Sequence, residues 1–584
     1  MKHTNLRFNW KIGGEAGFGI KSAGLLFAKA LMRAGYETYD YSEYPSLIRG
    51  GHNTYQVTIS EIPIGSVDST VDVLVALNQA GIDNHLKELT EQAVIICDAS
   101  EVKVNTKSLP KGSVIIDVPF KKITAETGGG DIMRNTVAMG ATMAVLNLPI
   151  KILEDVVKEM FKSKPDVIES NVKAMDLGYK HVKEKYPKFK FKYELEATRK
   201  IQRALIPGNE ALGMGALAGG LNFFAAYPMT PSTSIMIYLA AKAVEHGVIV
   251  KHAEDEISVI NMALGAAHVG ARAMVATSGG GFALMGEGLG LAGVSETPLV
   301  LVNVQRPGPA TGMPTWTDQG DLQFVLHAGQ GEFPRIILAP GDVNECFYLG
   351  AEAMNLAEKY QLPVIILSDK FLAEGSATVP VFDDSKISID RGKLLPATKV
   401  PKNYKRYKLT DDGVSPRALP GMKGGIYWAD SYEHSEYGFS SENMAERIEQ
   451  VDKRARKLET AAKELGGAKL YGSPKAKLTL VGWGSSKGPI LDAINTLPEK
   501  IAHQINFLHI NVIWPLPSGE IKKILGKKGI LTKKKIVLVE NNSEAQLGRL
   551  IRQETGIEID KKILRYDGRP FFANELAEQL KKLI

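Results

Sequence analysis

LNFFAAYPMTPS at residues 221–232, GVIVKHAEDE at 247–256, ARAMVATSGGGF at 271–282 and TPLVLVNVQRPGPATGMPT at 297–315 are built alike. Each begins as a short, apolar, β-rich run and ends in a polar, glycine-rich or acidic cluster. Helical-looking residues separate them, which is the pattern of a parallel sheet with crossover helices. In such a sheet every strand-to-helix loop lies on the same carboxyl edge, so the four clusters are expected to converge there. Loops that bring Thr, Glu, Ser, Gly and Arg together are how an α/β protein builds a site. The chain is expected to form part of an enzyme.

The same alternation extends outward. Residues 1–190 read as one α/β unit: RFNWKI is a strand, Gly13-Gly14-Glu15-Ala16-Gly17-Phe18-Gly19 a loop, and residues 20–35 an amphipathic helix. TYDY, VDVLVAL, AVIICDA and SVIIDV continue as strands. Residues 191–200 read as a linker and 201–375 as the unit holding the four loops. Residues 376–475 read as an extended linker ending in a polar helix, and 476–584 as a smaller C-terminal α/β domain. The expected fold class is α/β, with several parallel or mixed sheets and flanking helices.

With 584 residues the chain is too long for one ordinary core. Hydrophobic residues make up 44% and charged residues 23%, an average soluble mixture that argues against disorder. A formal charge of +6 with no aromatic-rich basic module argues against nucleic acid as a partner. No run of about 18 apolar residues suggests a membrane span, and the start lacks the apolar core of a secretory signal. A cytoplasmic protein is therefore expected. Cys97 and Cys346 are the two cysteines and neither belongs to a CxxC pair, so no metal site is assigned to this chain.

Three clusters bear chemistry. Glu254 and Glu256 open a helix, where an acid ordinarily serves capping and the dipole. The alternative is a carboxyl in a closed, apolar site that exchanges a proton with a heteroaromatic nitrogen. Arg306 opens a stiff Pro/Gly loop and is either a surface cation or a bidentate clamp on a substrate carboxylate. Thr230 and Thr315 could add hydroxyl contacts, and Thr277-Ser278-Gly279 leaves room for a flat ligand. The N-terminal glycine loop, spaced GxxGxG, is a tight turn, a dinucleotide site with Asp40 on the ribose, or a site for another phosphate-bearing ligand such as coenzyme A. SLIRGGHN at 46–53 adds the cation Arg49 and an imidazole.

The four loops in this order resemble the α subunit of the 2-oxoacid:ferredoxin oxidoreductases, whose loops follow tyrosine-proline-x-threonine-proline, EDE-like, TSGPGF-like and RxGPSTGxPT-like patterns. GNEALGMGA before them and Glu433-His434 after them fit as well. Residues 1–190 resemble the γ subunit of the same family, with its glycine-rich start and RGG loop, so the chain looks like a γ–α fusion. The resemblance implies a thiamine-diphosphate pyrimidine-type domain at 201–375 and oxidative decarboxylation of a 2-oxoacid to its acyl-coenzyme A, with ferredoxin reduced. Carried over, Glu256 would bond N1′ of the aminopyrimidine, with Glu254 as fallback and Tyr227, Pro228, Thr277, Ser278 and Gly279 around the cofactor. Arg306, Thr230 and Thr315 would hold the substrate, and Glu256, Arg306 and Thr230 would form the catalytic set. Gly14, Gly17, Gly19 and Arg49 would lie on the coenzyme A side.

Two departures stand out. Gly280 replaces the usual proline of the TSGPGF turn, and Pro307 and Ala310 replace another residue and a serine in the arginine loop. The chain lacks a GDG…N diphosphate motif, so the resemblance implies a β subunit carrying the diphosphate site, Mg2+ and a [4Fe–4S] cluster, in a dimer of αβ pairs. Among substrates 2-oxoglutarate is favoured, because γ–α fusions resemble that branch, with pyruvate and branched-chain acids open. The rival readings are an NAD-dependent oxidoreductase using the N-terminal glycine loop and a non-catalytic assembly subunit.

Overall fold

The computed structural model describes residues 6–47, 50–127, 130–197, 202–526 and 535–584, which form an α/β protein of two compact units. The first unit comprises residues 1–206, 375–381 and 572–582. Its eight-stranded sheet runs in the order Val114–Asp117, Leu89–Cys97, Val71–Ala76, Arg7–Glu15, His52–Ser60, Glu37–Glu43, Ser376–Pro380, Arg203–Pro207. The first four strands are mutually parallel, and pairing turns antiparallel from Arg7–Glu15 to His52–Ser60. Helix Ile20–Ala34 packs on this sheet through Phe27, whose ring lies 4.4 Å from that of the fully buried Trp10. Strand Ser376–Pro380 and helix Ala573–Lys581 come from far along the chain to complete the unit.

The second unit spans residues 207–374, 382–571 and 583–584 and holds two sheets. The seven-stranded sheet runs Val512–Trp514, Ile336–Leu338, Pro363–Asp369, Leu299–Gln305, Ala273–Thr277, Phe223–Ala226, Ile249–His252. Every pairing is parallel except that of the edge strand Val512–Trp514. Leu299–Gln305 and Pro363–Asp369 are buried along their whole length, as central parallel strands covered on both faces must be. The five-stranded sheet runs Ala468–Tyr471, Ile505–Ile510, Leu478–Trp483, Lys535–Glu540, Lys561–Leu564. One core joins the two sheets, with Val275 and Leu301 in the same apolar cluster as Trp483, Ile510 and Leu547. The long helix Met444–Glu464 is fastened by an ion cluster rather than an apolar stripe: Lys453 and Lys457 each place Nζ 2.5 Å from an oxygen of Glu296, and all three are fully buried.

Among the described residues, no helix is long and apolar enough to cross a membrane.

Candidate functional site

Parallel pairing sends the strands ending at Ala226, His252, Thr277, Gln305 and Asp369 out on one carboxyl edge. The loops that follow meet there. Arg306, the first residue after its strand, donates from Nη1 to the Thr230 carbonyl at 2.7 Å, joining the arginine loop to the Tyr-Pro loop. Thr277 Oγ1 lies 3.9 Å from the Met229 sulfur. The turn of helix Gly279–Leu284 closes on Glu256: a Cβ at Gly281 would sit 2.1 Å from Thr277 Oγ1 and 2.3 Å from Glu256 Oε1. Only glycine leaves that carboxyl its place.

Local sequence separates the three acids of the EDE cluster. Asp255 is the N-cap of helix Glu256–His268, its carboxylate accepting from Ser258 N at 2.7 Å. Glu254 is exposed. Glu256 is 3% exposed, and its buried Oε1 has no hydrogen-bond partner. Burial raises its pKa; its own backbone N–H opposes that and the neighbouring Asp255 charge adds to it. Since Asp255 supplies the cap, the helix start gives no reason for Glu256 to be inside. A buried carboxyl oxygen without a donor costs free energy comparable to a lost hydrogen bond, roughly 1–3 kcal/mol. Ser278 is in the same position, fully buried with an unpartnered Oγ.

Tyr227 is 38% exposed, Pro228 and Thr230 are half-buried, and Thr277 and Thr315 are buried. Gly279 lies against a carboxylate: a Cβ there would be 2.6 Å from Asp321 Oδ2. That acid also accepts from Asn303 Nδ2 at 3.1 Å, and its backbone N–H donates to Gln305 Oε1. Burial raises the Asp321 pKa, against the Asn303 hydrogen bond and the Arg306 charge. Asp318 is pushed up to about 7 by burial, with Gln319 N–H opposing and Asp321 and Asp369 adding. Asp369 ends its strand and accepts from Thr317 Oγ1 at 3.1 Å. Sequence reasoning missed these three acids. Asp369 carried a usable signal, since it ends the apolar run LPVIILSD as the other site residues end theirs. The two departures adjoin, as a Cβ at Gly280 would be 4.0 Å from the Ala310 carbonyl.

In the first unit, Gly14 lies within strand Arg7–Glu15, and Gly17 and Gly19 take positive φ values of 99° and 68°. Arg49 falls outside the described residues. The reading of Asp40 as a ribose acid is corrected. It is 1% exposed, and its oxygens accept from Tyr55 Oη at 2.6 Å and Ser376 N at 2.7 Å, so it ties the sheet together and is closed off from a ligand. The NAD reading loses its acid.

Comparison with known proteins agrees with this geometry. Residues 214–453 match the family model for pyruvate flavodoxin/ferredoxin oxidoreductase, thiamine diphosphate-binding, and residues 9–181 that for pyruvate ferredoxin/flavodoxin oxidoreductase. The chain is 32% identical to the 2-oxoacid:ferredoxin oxidoreductase subunit alpha of Saccharolobus solfataricus, over 99% of this chain and 98% of that one. It is 28% identical to the 2-oxoglutarate oxidoreductase subunit KorA of Mycobacterium tuberculosis, over 97% and 90%. Among solved structures, a 2-oxoglutarate:ferredoxin oxidoreductase from Magnetococcus marinus, with 2-oxoglutarate, coenzyme A and succinyl-CoA bound, aligns with a TM-score of 0.90 at 32% identity, covering 99% of both chains. The chain therefore belongs to the 2-oxoacid:ferredoxin oxidoreductases, as an α subunit that joins a γ-like region to a thiamine diphosphate-binding domain.

Proposed function

We propose that this chain, with a β subunit, catalyses the coenzyme A-dependent oxidative decarboxylation of 2-oxoglutarate to its acyl-coenzyme A, electrons passing to ferredoxin. The observation that carries the reading is the bare, buried Oε1 of Glu256 at the meeting point of four strand-end loops. A carboxyl in that state lacks one partner, and a ring nitrogen that shares its proton is a fitting one. The unpartnered Ser278 Oγ and the glycine run 279–281 fit a flat aminopyrimidine beside it. Thiamine diphosphate supplies, when bound, the carbon nucleophile and the electron sink that decarboxylation needs.

The chain's own residues then have defined work. Glu256 holds a proton against N1′ of the pyrimidine; its raised pKa keeps that proton available closer to neutral pH than an ordinary carboxyl would. Tyr227, Pro228, Thr277 and Gly279 shape the pyrimidine pocket, and exposed Glu254 stays outside it. Arg306 pairs with the substrate's 1-carboxylate, oriented by its bond to the Thr230 carbonyl, with the Thr230 and Thr315 hydroxyls alongside. We assign residues 201–375 as the pyrimidine domain, 476–584 as a transketolase-like domain and 1–190 as the coenzyme A-binding region, using Gly14, Gly17, Gly19 and Arg49. The diphosphate, Mg2+ and the [4Fe–4S] cluster are assigned to the β subunit, in a cytoplasmic dimer of αβ pairs. The names of the Mycobacterium tuberculosis and Magnetococcus marinus relatives favour 2-oxoglutarate as the substrate.

Viologen reduction by the αβ complex, measured across a 2-oxoacid panel with coenzyme A, tests the assignment. The highest kcat/KM is expected with 2-oxoglutarate. A higher value with pyruvate or a branched-chain acid would overturn the substrate, and no turnover with any acid would overturn the reaction.

A further inference from the structure

The first unit contains a cavity of about 540 Å³ beside the glycine loop. Its wall comes from helices Ile20–Ala34, Arg134–Val145, Ile150–Met160 and Pro165–Lys185. The volume falls within the range of small-molecule sites, roughly 300–1,000 Å³. Among the described residues of the wall there is no Lys, Arg or His, and the only ionisable group, Asp166, is exposed at the rim. Nothing there would repay the desolvation of a phosphate or carboxylate, so an anionic group is excluded. The apolar part of the lining includes Leu26, Ile132, Phe161 and Val167 together with Met133, whose thioether sulfur packs well against aromatic rings.

A buried polar triad in the wall supplies the specificity. Asn135 donates from Nδ2 to the carbonyls of Phe18 and Gly19, at 2.8 and 3.2 Å, and Asn171 donates from Nδ2 to the Val167 carbonyl at 2.7 Å. These bonds fix the orientation of both amides. Gly19 is required for this arrangement, because a Cβ there would lie 2.3 Å from Asn135 Nδ2. Between the amides sits Thr136, whose Oγ1 is 2.9 Å from Asn135 Oδ1 and 2.9 Å from Asn171 Oδ1. A hydroxyl has one hydrogen and two oxygens require it. Whichever oxygen Thr136 serves, the other amide oxygen gains no donor from it, and the three residues of the triad are all at least 91% buried.

We infer that this cavity is a binding site for a neutral, planar heteroaromatic group that carries an N–H donor. The ring packs against the apolar wall, and the N–H satisfies the amide oxygen that Thr136 leaves bare. The inference does not depend on the reaction proposed above.

Isothermal titration of the full chain with indole, and with 1-benzothiophene as a probe of like shape without an N–H, tests it. Indole is expected to bind with a Kd below about 1 mM, and benzothiophene about tenfold more weakly, the worth of one neutral hydrogen bond. Ser22 is exposed at the cavity edge, so Ser22→Trp is expected to fold normally and abolish indole binding. Ser170→Trp, on the helix Pro165–Lys185, provides a second block if the first variant fails to fold. Equal affinity for the two probes, indole binding undiminished in a folded blocking variant, or no binding of either probe would each overturn the inference.

Discussion

Gly281→Ala should disable the site while leaving the fold almost intact. The added methyl would arrive 2.1 Å from Thr277 Oγ1, 2.3 Å from Glu256 Oε1 and 2.7 Å from Glu256 Cδ. Contacts that short cannot persist, so the carboxyl and hydroxyl must retreat by roughly 1 Å to reach van der Waals separation. Both are the ends of side chains and can rotate away, which keeps the stability cost near the low end of overpacking, about 1 kcal/mol. Catalysis is less forgiving. A misplacement of about 1 Å in a positioned group costs on the order of 100-fold in rate. In the αβ complex, viologen reduction should therefore fall about 100-fold while thermal unfolding of the chain shifts by only a few degrees. Gly280→Ala is the matched control: its nearest neighbour would be 4.0 Å away, and activity should stay within about twofold. A Gly281→Ala enzyme at full rate would refute the placement of Glu256 at the chemistry.

Arg306→Lys keeps the charge but loses the fork that bonds the Thr230 carbonyl, so kcat/KM should drop about 10- to 100-fold, chiefly through KM for the 2-oxoacid. Glu296→Gln leaves the Lys453 and Lys457 ammoniums buried without their counter-charge and should cost about 3–5 kcal/mol in denaturant unfolding. Asp318 has a folded pKa of about 7, above its unfolded value, so ionisation is resisted only in the folded state. Below the unfolded value both states hold the proton and no penalty exists. The penalty grows as pH rises towards 7 and is constant above it, so Asp318→Asn should gain stability over the parent across that window, read from unfolding midpoints at stepped pH.

The sequence shows most clearly what is periodic or punctual. The strand–loop alternation of residues 221–315 gave the parallel sheet and its carboxyl edge, because fully buried parallel strands are continuous apolar runs and their loops must be polar. The same stretch singled out Glu254, Glu256 and Arg306 as chemistry-bearing charges beside their capping and surface readings, and the family resemblance chose Glu256 over Glu254. Other features depend on contacts distant in sequence. Nothing near Gly281 tells that its missing Cβ accommodates a carboxyl 25 positions earlier. Asp40 sat at a plausible spacing for a ribose acid, yet its partners are Tyr55 and Ser376, the latter 336 positions away. Of the Asp318–Asp321–Asp369 group, Asp318 and Asp321 were hidden in an irregular loop, and only Asp369, at a strand end, was legible. The separation of Asp255 as cap from Glu256 as buried acid needed backbone geometry, because in the sequence both are simply adjacent acids at the start of one helix.

The most direct test of the account is the rate of 2-oxoglutarate-dependent viologen reduction by the αβ complex with Glu256→Gln in place of the parent chain. Glutamine keeps the size of the side chain but cannot give or take the proton at N1′. The account predicts a fall of at least about 100-fold, within the usual range for losing a positioned acid–base group, with the complex still assembled. Turnover within a few-fold of the parent would contradict the central claim that Glu256 is the acid on which this site is built.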